Sequence, residues 1–367
     1  MIYIHIPFCK SRCIYCDFFS STSEHLMPDF VRALTKEIDG RAVELRQARA
    51  TTIYFGGGTP SRLEAGQIKE IFAALQKVVP FENGAEITME CNPEDVTDDF
   101  MRALQDTPVN RISMGVQTMD DELLCRLRRR HTACQARQAV AKLREAGYTN
   151  ISLDLIYGLP GQNTEMWKRD VDELLAMQIP HISAYSLQWE EGTPLYRMME
   201  RGELSEAPEE LSEAMYRYMV EATGKAGMEH YEISNFAKPG MRSRHNSGYW
   251  REEPYVGLGP GAHSYDGKSK RNSNPSDLNI YIRCGGMPER EEENLTEDQL
   301  YEEKVLKSLR TMEGLDISSL EERYREYVMT MAMPHIKSGR LEKCGDRLRL
   351  TESGIFVSND IMSDMML

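Results

Sequence analysis

Short apolar runs rich in β-branched and aromatic residues recur along the first half of the chain. They lie at 2–6, 51–55, 86–90, 111–116, 151–156 and 182–187. Stretches typical of helices separate them, at 28–48, 64–78, 132–146 and 165–177. Strands and helices that alternate at intervals of about 25 to 50 residues predict parallel strands with right-handed crossovers. Six such units fit a partial or complete α/β barrel better than a helix bundle.

Polar residues and glycines stand where these runs end. Three cysteines follow the first run, a Gly-Gly-Gly-Thr stretch follows the second, and the later runs carry Glu90, Gln117, Asp154 and Gln188. In a parallel α/β barrel the carboxyl ends of the strands meet at one face, where active sites are built. The pattern therefore predicts one site shared by all six units.

The pattern changes after about residue 200. A long helix is predicted at 207–226, a loop-rich stretch at 234–275, and an acidic linker, PEREEEN, at 288–294. We therefore expect two domains. Residues 1–287 form the barrel with an extension on its substrate side, and residues 295–367 form a small C-terminal domain.

The C-terminal domain has the element order of a winged helix. Helices predicted at 297–312 and 317–331 precede a hairpin around Gly345, in RLEKCGDRLRL. Winged helices often bind DNA, but residues 295–367 hold 10 basic and 14 acidic side chains. Because phosphate binding needs a positive surface, we expect this domain to pack on the barrel or to dock a partner.

The overall composition points to a chain without a nucleic-acid partner. The 367 residues carry a formal net charge of −14 at pH 7, and 41% are hydrophobic. No apolar run reaches the roughly 18 residues of a membrane span, and no signal peptide precedes the first strand. We expect a cytoplasmic protein with no integral membrane segment, whose thiols stay reduced.

Three of the eight cysteines stand together in YIHIPFCKSRCIYC, as C-x-x-x-C-x-x-C at Cys9, Cys13 and Cys16. Structural zinc prefers four ligands, and no second C-x-x-C pair exists. A redox C-x-x-C would leave Cys9 without a role. An iron–sulfur cluster on three cysteines leaves one iron open to a ligand. The charged neighbours do not suit a buried core, whereas the five scattered cysteines are interpreted as small core residues.

The cysteine spacing, with Tyr15 just before the last cysteine, resembles the radical S-adenosylmethionine (SAM) superfamily. The resemblance implies a [4Fe-4S] cluster on Cys9, Cys13 and Cys16, with SAM bound to the open iron. It implies that the reduced cluster cleaves SAM to a 5′-deoxyadenosyl radical. It also implies an α/β fold, a partial (β/α)6 radical SAM barrel, which agrees with the six runs counted independently. The small winged-helix-like domain would follow this barrel.

Motifs along essentially the whole chain resemble the HemN/HemW group of that superfamily: FGGGTP, ECNPE, RISMGVQ, LDLIYGLPGQ, YEISNFAKPG, HNSGYW and GLGPGAHSY. HemN is an oxygen-independent coproporphyrinogen III oxidase, and HemW is described as a haem chaperone. HemN carries a fourth cysteine where this chain has Phe18, and a long N-terminal extension where this chain has Tyr3 almost at its start. These departures and HNSGYW favour the HemW branch.

The resemblance also implies which residues contact SAM. The matching positions are Tyr3, Tyr15, Gly57, Gly58, Thr59 and Glu90, with Gln117, Arg129 and Asp154 at positions that contact a second SAM in HemN. Glycines let backbone groups approach a ligand closely, and a carboxylate accepts from the methionine ammonium or the ribose hydroxyls. The acid in the apolar strand, Asp154, needs a partner, for which we expect Arg129. Gln188 matches a further contact only loosely.

Haem is the third cofactor that the resemblance implies. His245 begins HNSGYW, and because histidine is a common axial ligand it is the first candidate for the haem site. The alternative is a histidine that orders a loop through hydrogen bonds. His263 is a second candidate, and His5 is expected to be structural or near the cluster.

Three functions stay open on the sequence. The first is a haem carrier that passes haem to an acceptor protein of unknown identity, cleaves SAM and has no coproporphyrinogen III oxidase activity. The second is a coproporphyrinogen III dehydrogenase, which decarboxylates two propionates. The third is a radical SAM enzyme with another substrate, such as a methyl or cyclopropane transferase. A homodimer in equilibrium with the monomer is expected.

Overall fold

The computed structural model describes residues 1–367. Its central element is a nine-stranded sheet in the order β7-β8-β6-β5-β4-β3-β2-β1-β9. These strands are β1 Ile2–Ile6, β2 Ala50–Gly57, β3 Phe81–Cys91, β4 Arg111–Gln117, β5 Ile151–Tyr157, β6 His181–Ser186, β7 Glu229–Glu232, β8 Asn235–Ala237 and β9 Val256–Leu258. Neighbouring strands are parallel from β9 to β6, and β8 and β7 add an antiparallel edge. Because β7 and β9 lie at opposite ends, the barrel is partial.

Helices connect the strands. They are α1 Met27–Gly40, α2 Ala42–Ala48, α3 Ala65–Val78, α4 Asp98–Gln105, α5 Asp121–Arg126, α6 Ala133–Glu145, α7 Thr164–Ala176, α8 Pro194–Glu200 and α9 Glu209–Lys225. Apolar residues at helical spacing, such as Phe30, Leu34 and Ile38 of α1, join a core of 55 buried residues with the strands. The six predicted strand–helix units are thereby confirmed. No helix of the protein has the length and apolar character needed to cross a membrane.

Residues 234–275 are more ordered than the loop-rich stretch that the sequence predicts. Beyond β8 and β9 they hold α10 Arg244–Trp250, β10 His263–Tyr265 and β11 Lys270–Ser273. After α11 Leu278–Arg283, β12 Glu291–Asn294 pairs with β11 as an antiparallel edge. The linker prediction was therefore wrong for 291–294. Strand pairing uses the backbone, so an edge strand forms here although all four side chains are exposed.

A buried charge network holds β9 beside β1. Arg41, at the end of α1, pairs with Glu37 and donates to the carbonyl of Gly257 at 2.6 Å. Glu37 accepts from the Tyr281 hydroxyl at 2.6 Å and from the amide of Gly259 at 2.8 Å. Each buried charge therefore has several partners, which offset its loss of hydration.

The C-terminal unit has its own core of 15 buried residues. Its elements are α12 Glu297–Leu309, β13 Leu315–Asp316, α13 Glu322–Lys337, β14 Leu341–Cys344, β15 Arg347–Leu350, α14 Glu352–Ile355 and α15 Ser358–Asp364. Gly345 turns the predicted hairpin with a φ of 62°. The second helix begins at Glu322 rather than at 317, because Asp316 caps a separate turn over Ile317–Ser319.

This unit is docked on the antiparallel edge of the sheet. The backbone amide of Ile233, just after β7, donates to the carbonyl of Arg310 at 3.0 Å. The Phe356 ring meets Tyr216 of α9 edge-on at 5.3 Å between ring centroids, and Arg217 lies 5.1 Å from the same ring. The contact thus combines backbone pairing with one aromatic anchor.

Candidate functional site

The three cysteines lie on the loop that leaves β1 at the carboxyl end of the sheet. Ser21 closes this loop, since its amide donates to the carbonyl of Pro7 at 2.7 Å and its carbonyl accepts from the amide of Cys9 at 3.0 Å. Cys9, Cys13 and Cys16 are half-buried, and none forms a disulfide. A closed loop therefore presents three free thiols at one rim of the barrel.

Two side chains from outside this loop donate to the cysteine sulfurs, one just after β2 and one between α5 and α6. Thr59 Oγ1 lies 3.4 Å from Cys9 Sγ, and Arg129 Nη1 lies 3.5 Å from Cys13 Sγ. Burial opposes the charge of Arg129, but Tyr15, Cys13 and Glu94 together outweigh it and raise its pKa. A permanent cation thus stands against the sulfur of Cys13, and Tyr15 stands close to both.

The surroundings of two of the three thiols do not favour their ionised form. Burial raises the pKa of Cys16 to about 11, and it also raises the pKa of Cys9. Catalytic dithiols depend on a lowered cysteine pKa. Cys9 and Cys16 therefore lack the activated thiolate of a catalytic dithiol.

The donor set fits a cluster rather than a single metal ion. No three His, Cys, Asp or Glu side chains are close enough to share one ion. Cluster cysteines bind different iron atoms and stand further apart, so this finding excludes only a mononuclear centre. Two buried polar atoms at the same end of the sheet, Asp154 Oδ1 and Arg129 Nε, have no hydrogen-bond partner. Three thiols, donors to their sulfurs and unpaired polar atoms are what a cluster with a polar ligand needs.

The glycine run after β2 packs too tightly for side chains. Gly57 has a φ of 105°, and a Cβ there would lie 2.5 Å from the His5 ring. A Cβ on Gly58 would lie 2.7 Å from the carbonyl of Phe8, at the start of the cysteine loop. The run therefore brings bare backbone, and with it Thr59, against that loop.

Glu90 lies inside the barrel beside two tyrosines. Its Oε1 accepts from the Tyr54 hydroxyl at 2.7 Å, and the Tyr3 ring stacks on Tyr54 with 6.2 Å between centroids. Burial, aided by the nearby charge of Asp154, raises the pKa of Glu90 to about 7 against the opposing bond from Tyr54. This carboxyl therefore changes charge near neutral pH.

The predicted pairing of Arg129 with Asp154 was wrong. Arg129 instead donates to Asn92 Oδ1 at 2.7 Å, to the carbonyl of Gly115 and to Cys13. Burial raises the pKa of Asp154, while Ser183 and the charge of Arg111 oppose the shift. The serine side chains and the charge of Arg111 thus favour the ionised form of Asp154, but its Oδ1 stays without a hydrogen-bond partner.

Gln117 ends β4 in a strained conformation. Its φ is 69°, and the pairing of β4 with β5 shifts register between Gly115 and Gln117. A Cβ on Gly115 would lie 2.7 Å from Gln117 Nε2, so the glycine gives that side chain its space. Strain of this kind is common where a side chain is aimed at a ligand. Gln188, by contrast, is exposed and donates to the carbonyl of Ser186.

His245 is buried and lies toward the amino ends of β2 and β3, away from the cysteine loop. It is 2% exposed, and its Nδ1 shares a hydrogen bond with Thr52 Oγ1 at 2.7 Å. Its Nε2 faces the Tyr249 hydroxyl at 3.2 Å, and burial lowers its pKa to about 3. In this conformation both ring nitrogens of the neutral imidazole have partners.

The other two histidines differ in exposure. His263 is exposed on β10. His5 is buried, with Nδ1 bonded to the Tyr3 hydroxyl at 3.1 Å and Nε2 to the carbonyl of Phe19 at 2.9 Å. His5 therefore braces β1 against the cysteine loop, which is the structural role expected for it.

Sequence reasoning missed one residue of the site and misplaced four cysteines. Asn92, the middle residue of ECNPE, bonds both Thr59 and Arg129. Asn92 could have been predicted from its position, because a polar residue directly after β3 lies at the carboxyl end of the sheet with the other site residues. Of the scattered cysteines only Cys91 is buried, whereas Cys125, Cys134, Cys284 and Cys344 are exposed. Most of these cysteines are therefore not core residues.

Comparison with known proteins assigns the two parts of the chain to protein families. Residues 3–174 match the radical SAM superfamily, and residues 295–357 match the HemN C-terminal domain. The solved structure of coproporphyrinogen III oxidase (HemN) from Escherichia coli superposes with a TM-score of 0.85 over 99% of this chain and 89% of that chain. At 23% identity this likeness shows the fold alone. The chain is thus a radical SAM protein with a HemN-type C-terminal domain.

Relatives that are similar to this chain over its full length identify the family within the superfamily. The chain is 35% identical to "Heme chaperone HemW" of Lactococcus lactis, covering 100% of this chain and 97% of that protein. It is 33% identical to the protein of the same name from Bacillus subtilis, covering 98% and 97%. A zebrafish protein, "Radical S-adenosyl methionine domain-containing protein 1, mitochondrial", is 32% identical over 100% and 86%. The chain belongs to the HemW family.

Proposed function

We propose that this chain is a radical SAM haem chaperone, which binds haem and delivers it to an acceptor protein. The observation that carries the proposal is the full-length likeness to relatives named haem chaperones. The three free cysteines on one closed loop support the radical SAM part. Phe18, exposed where HemN carries a fourth cysteine, supports a departure from the oxidase.

In this proposal Cys9, Cys13 and Cys16 hold a [4Fe-4S] cluster. When reduced, such a cluster supplies the electron that cleaves SAM. The chain's own residues bind and orient SAM: Tyr3, Tyr15, Gly57, Gly58, Thr59 and Glu90 for the first molecule, and Gln117, Arg129 and Asp154 for a second. Glu90 accepts hydrogen bonds in its ionised form, and backbone groups of Gly57 and Gly58 contact the methionine part.

The cluster assignment is tested by replacing Cys13 with serine. After anaerobic reconstitution with iron and sulfide, we expect the C13S variant to retain much less iron and sulfide than wild type and to lose SAM cleavage. C134S is the matched control, since Cys134 is an exposed thiol outside the loop. Equal iron and sulfide in C13S and wild type would refute the ligand set.

The haem assignment is tested by a Soret titration of the reconstituted protein. We expect wild type to bind haem in a saturable manner. His245 stays a predicted ligand that must first leave Thr52 and Tyr249, whereas the exposed His263 needs no such change. H245A and H263A are therefore compared, and H25A, another exposed histidine, is the control. The variant that weakens the Soret shift identifies the ligand.

Two results would overturn the proposed function. A wild-type protein with an intact cluster that binds no haem would not be a haem carrier. Decarboxylation of coproporphyrinogen III under anaerobic, reducing conditions would instead make it the dehydrogenase. Turnover of some other substrate without haem binding would support the third function class.

The partners follow from the same proposal. We place the haem transfer in the cytoplasm, with an acceptor protein that recognises the haem-loaded form. Crosslinking of the haem-loaded and haem-free protein in a cell extract tests this, since only the loaded form is expected to capture a haem protein. Size-exclusion chromatography of both forms tests the expected homodimer.

A further inference from the structure

A continuous chain of hydrogen bonds joins two of the three cysteines through Asn92. On one side, Asn92 Nδ2 donates to Thr59 Oγ1 at 3.3 Å, and Thr59 Oγ1 donates to Cys9 Sγ at 3.4 Å. On the other side, Arg129 Nη2 donates to Asn92 Oδ1 at 2.7 Å, and Arg129 Nη1 donates to Cys13 Sγ at 3.5 Å. Asn92 is thus the middle member of a five-residue chain that starts and ends on sulfur.

The chemistry of the donors fixes the direction of every bond. A guanidinium only donates, so the Asn92 oxygen must face Arg129 and its NH₂ group must face Thr59. Thr59 then accepts from Asn92 and keeps its own proton for Cys9. An aspartate at position 92 would reverse this order, because it would draw the Thr59 proton away from the sulfur. Only an amide at this point serves both sides.

We propose that Asn92 is a positioning residue that holds Thr59 and Arg129 against the cysteine sulfurs and thereby raises the reduction potential of the cluster. The inference rests on the proposed function, since it requires a cluster on these cysteines. Hydrogen bonds to the sulfurs and a nearby positive charge stabilise the form that carries one more electron. Asn92 itself bonds no sulfur and acts through its two neighbours.

The test is a redox titration of the reconstituted protein with dithionite, followed by EPR in the absence of SAM. In this titration one electron passes from dithionite to the cluster. We expect N92A to weaken the equilibrium constant for reduction about tenfold, which is a shift of about 59 mV to more negative potential for one electron. A merely structural role for Asn92 would lower stability without this shift.

N110A is the matched control for loss of an asparagine side-chain amide that holds two hydrogen bonds. Asn110 bonds only backbone groups, accepting from the amide of Ile87 at 2.9 Å and donating to the carbonyl of Ala85 at 2.8 Å, at the amino end of β4. We expect N110A to lose stability and to keep the wild-type potential. An equal shift in N110A and N92A would overturn the inference.

Two substitutions at Thr59 keep the test decisive if N92A holds no cluster. T59V removes the donor to Cys9 and is expected to lower the potential, whereas T59S retains the hydroxyl and is expected to restore it. A wild-type potential in cluster-loaded T59V or N92A would refute the inference. Wild-type protein without iron and sulfide would instead refute the proposed function, so the two failures are distinguishable.

Discussion

A carboxylate that accepts hydrogen bonds from a ligand works best ionised, whereas burial favours its protonated form. Glu90 stands between these demands. Burial raises its pKa to about 7, and the bond from Tyr54 limits that rise. At the scale of single residues, the structure therefore sets the proton occupancy of the expected SAM contact close to neutral pH.

This balance predicts a pH dependence of SAM binding. As pH falls from 8 to 6, wild-type Glu90 gains a proton and loses acceptor capacity, so we expect SAM affinity to fall about tenfold. E90Q lacks this titration and should show a smaller slope. Anaerobic calorimetry at several pH values measures both proteins, and any titration of SAM itself is common to them. Parallel slopes would show that Glu90 stays ionised throughout or does not contact SAM.

Gly57 predicts the cost of a side chain between β2 and the cysteine loop. With a φ of 105° and the His5 ring 2.5 Å from a Cβ, we expect G57A to lower the free energy of unfolding by about 2 kcal/mol or more. G66A is the matched control, because Gly66 lies in α3 with nothing within 4 Å of its Cβ. Thermal denaturation of both variants measures the difference. Equal melting temperatures for G57A and G66A would show that a side chain at position 57 causes no steric clash.

At the scale of elements, Asp170 ties α7 to the end of β4. It is 2% exposed and accepts from Thr118 Oγ1 at 2.7 Å and from the amide of Met119 at 2.9 Å. Burial nevertheless raises its pKa to about 6 from 3.8. The folded protein therefore holds this proton more tightly than the unfolded chain does.

The sign of the resulting pH effect follows from linkage. Asp170 lowers stability as pH rises from about 4 to about 6, because ionisation costs more in the folded state. We expect wild type to lose about 3 kcal/mol relative to D170N over this range. Urea denaturation of both apoproteins at several pH values measures the difference. A difference independent of pH would show that the carboxyl is solvated in the fold.

The elements that the sequence predicts well are those with a local signal. Runs such as ISLDLI are long and apolar enough to identify a parallel strand on their own. β9 has only three residues and no such signal. Its place beside β1 depends on Glu37 and Arg41, which are distant from β9 in the sequence. Contacts between residues distant in sequence also limit what can be predicted of the site. Spacing identifies three cysteines on one loop, but the choice of Asn92 over Asp154 as partner of Arg129 depends on which strand ends meet in space.

At the scale of the whole molecule, Phe356 anchors the C-terminal unit on α9. We expect F356A to remove the edge-on contact with Tyr216 and to weaken docking, since Phe356 is half-buried and an aromatic pair contributes about 1 kcal/mol. Hydrogen exchange should then rise in residues 295–367 while the strands β1 to β6 keep their protection. V43A, a change at an exposed side chain of α2, is the control. Equal protection in F356A and wild type would show that backbone pairing at Ile233 suffices.

The pairing of β1 with β9 sets an order of events during synthesis. Ile2 is paired with Val256, so the outer edge of β1 has no partner until more than two-thirds of the chain has left the ribosome. Closing so long a segment is slow compared with forming the local strand–helix units. The cysteine loop, although among the first residues made, therefore gains the support of β9 only after residues 256–258 have been made.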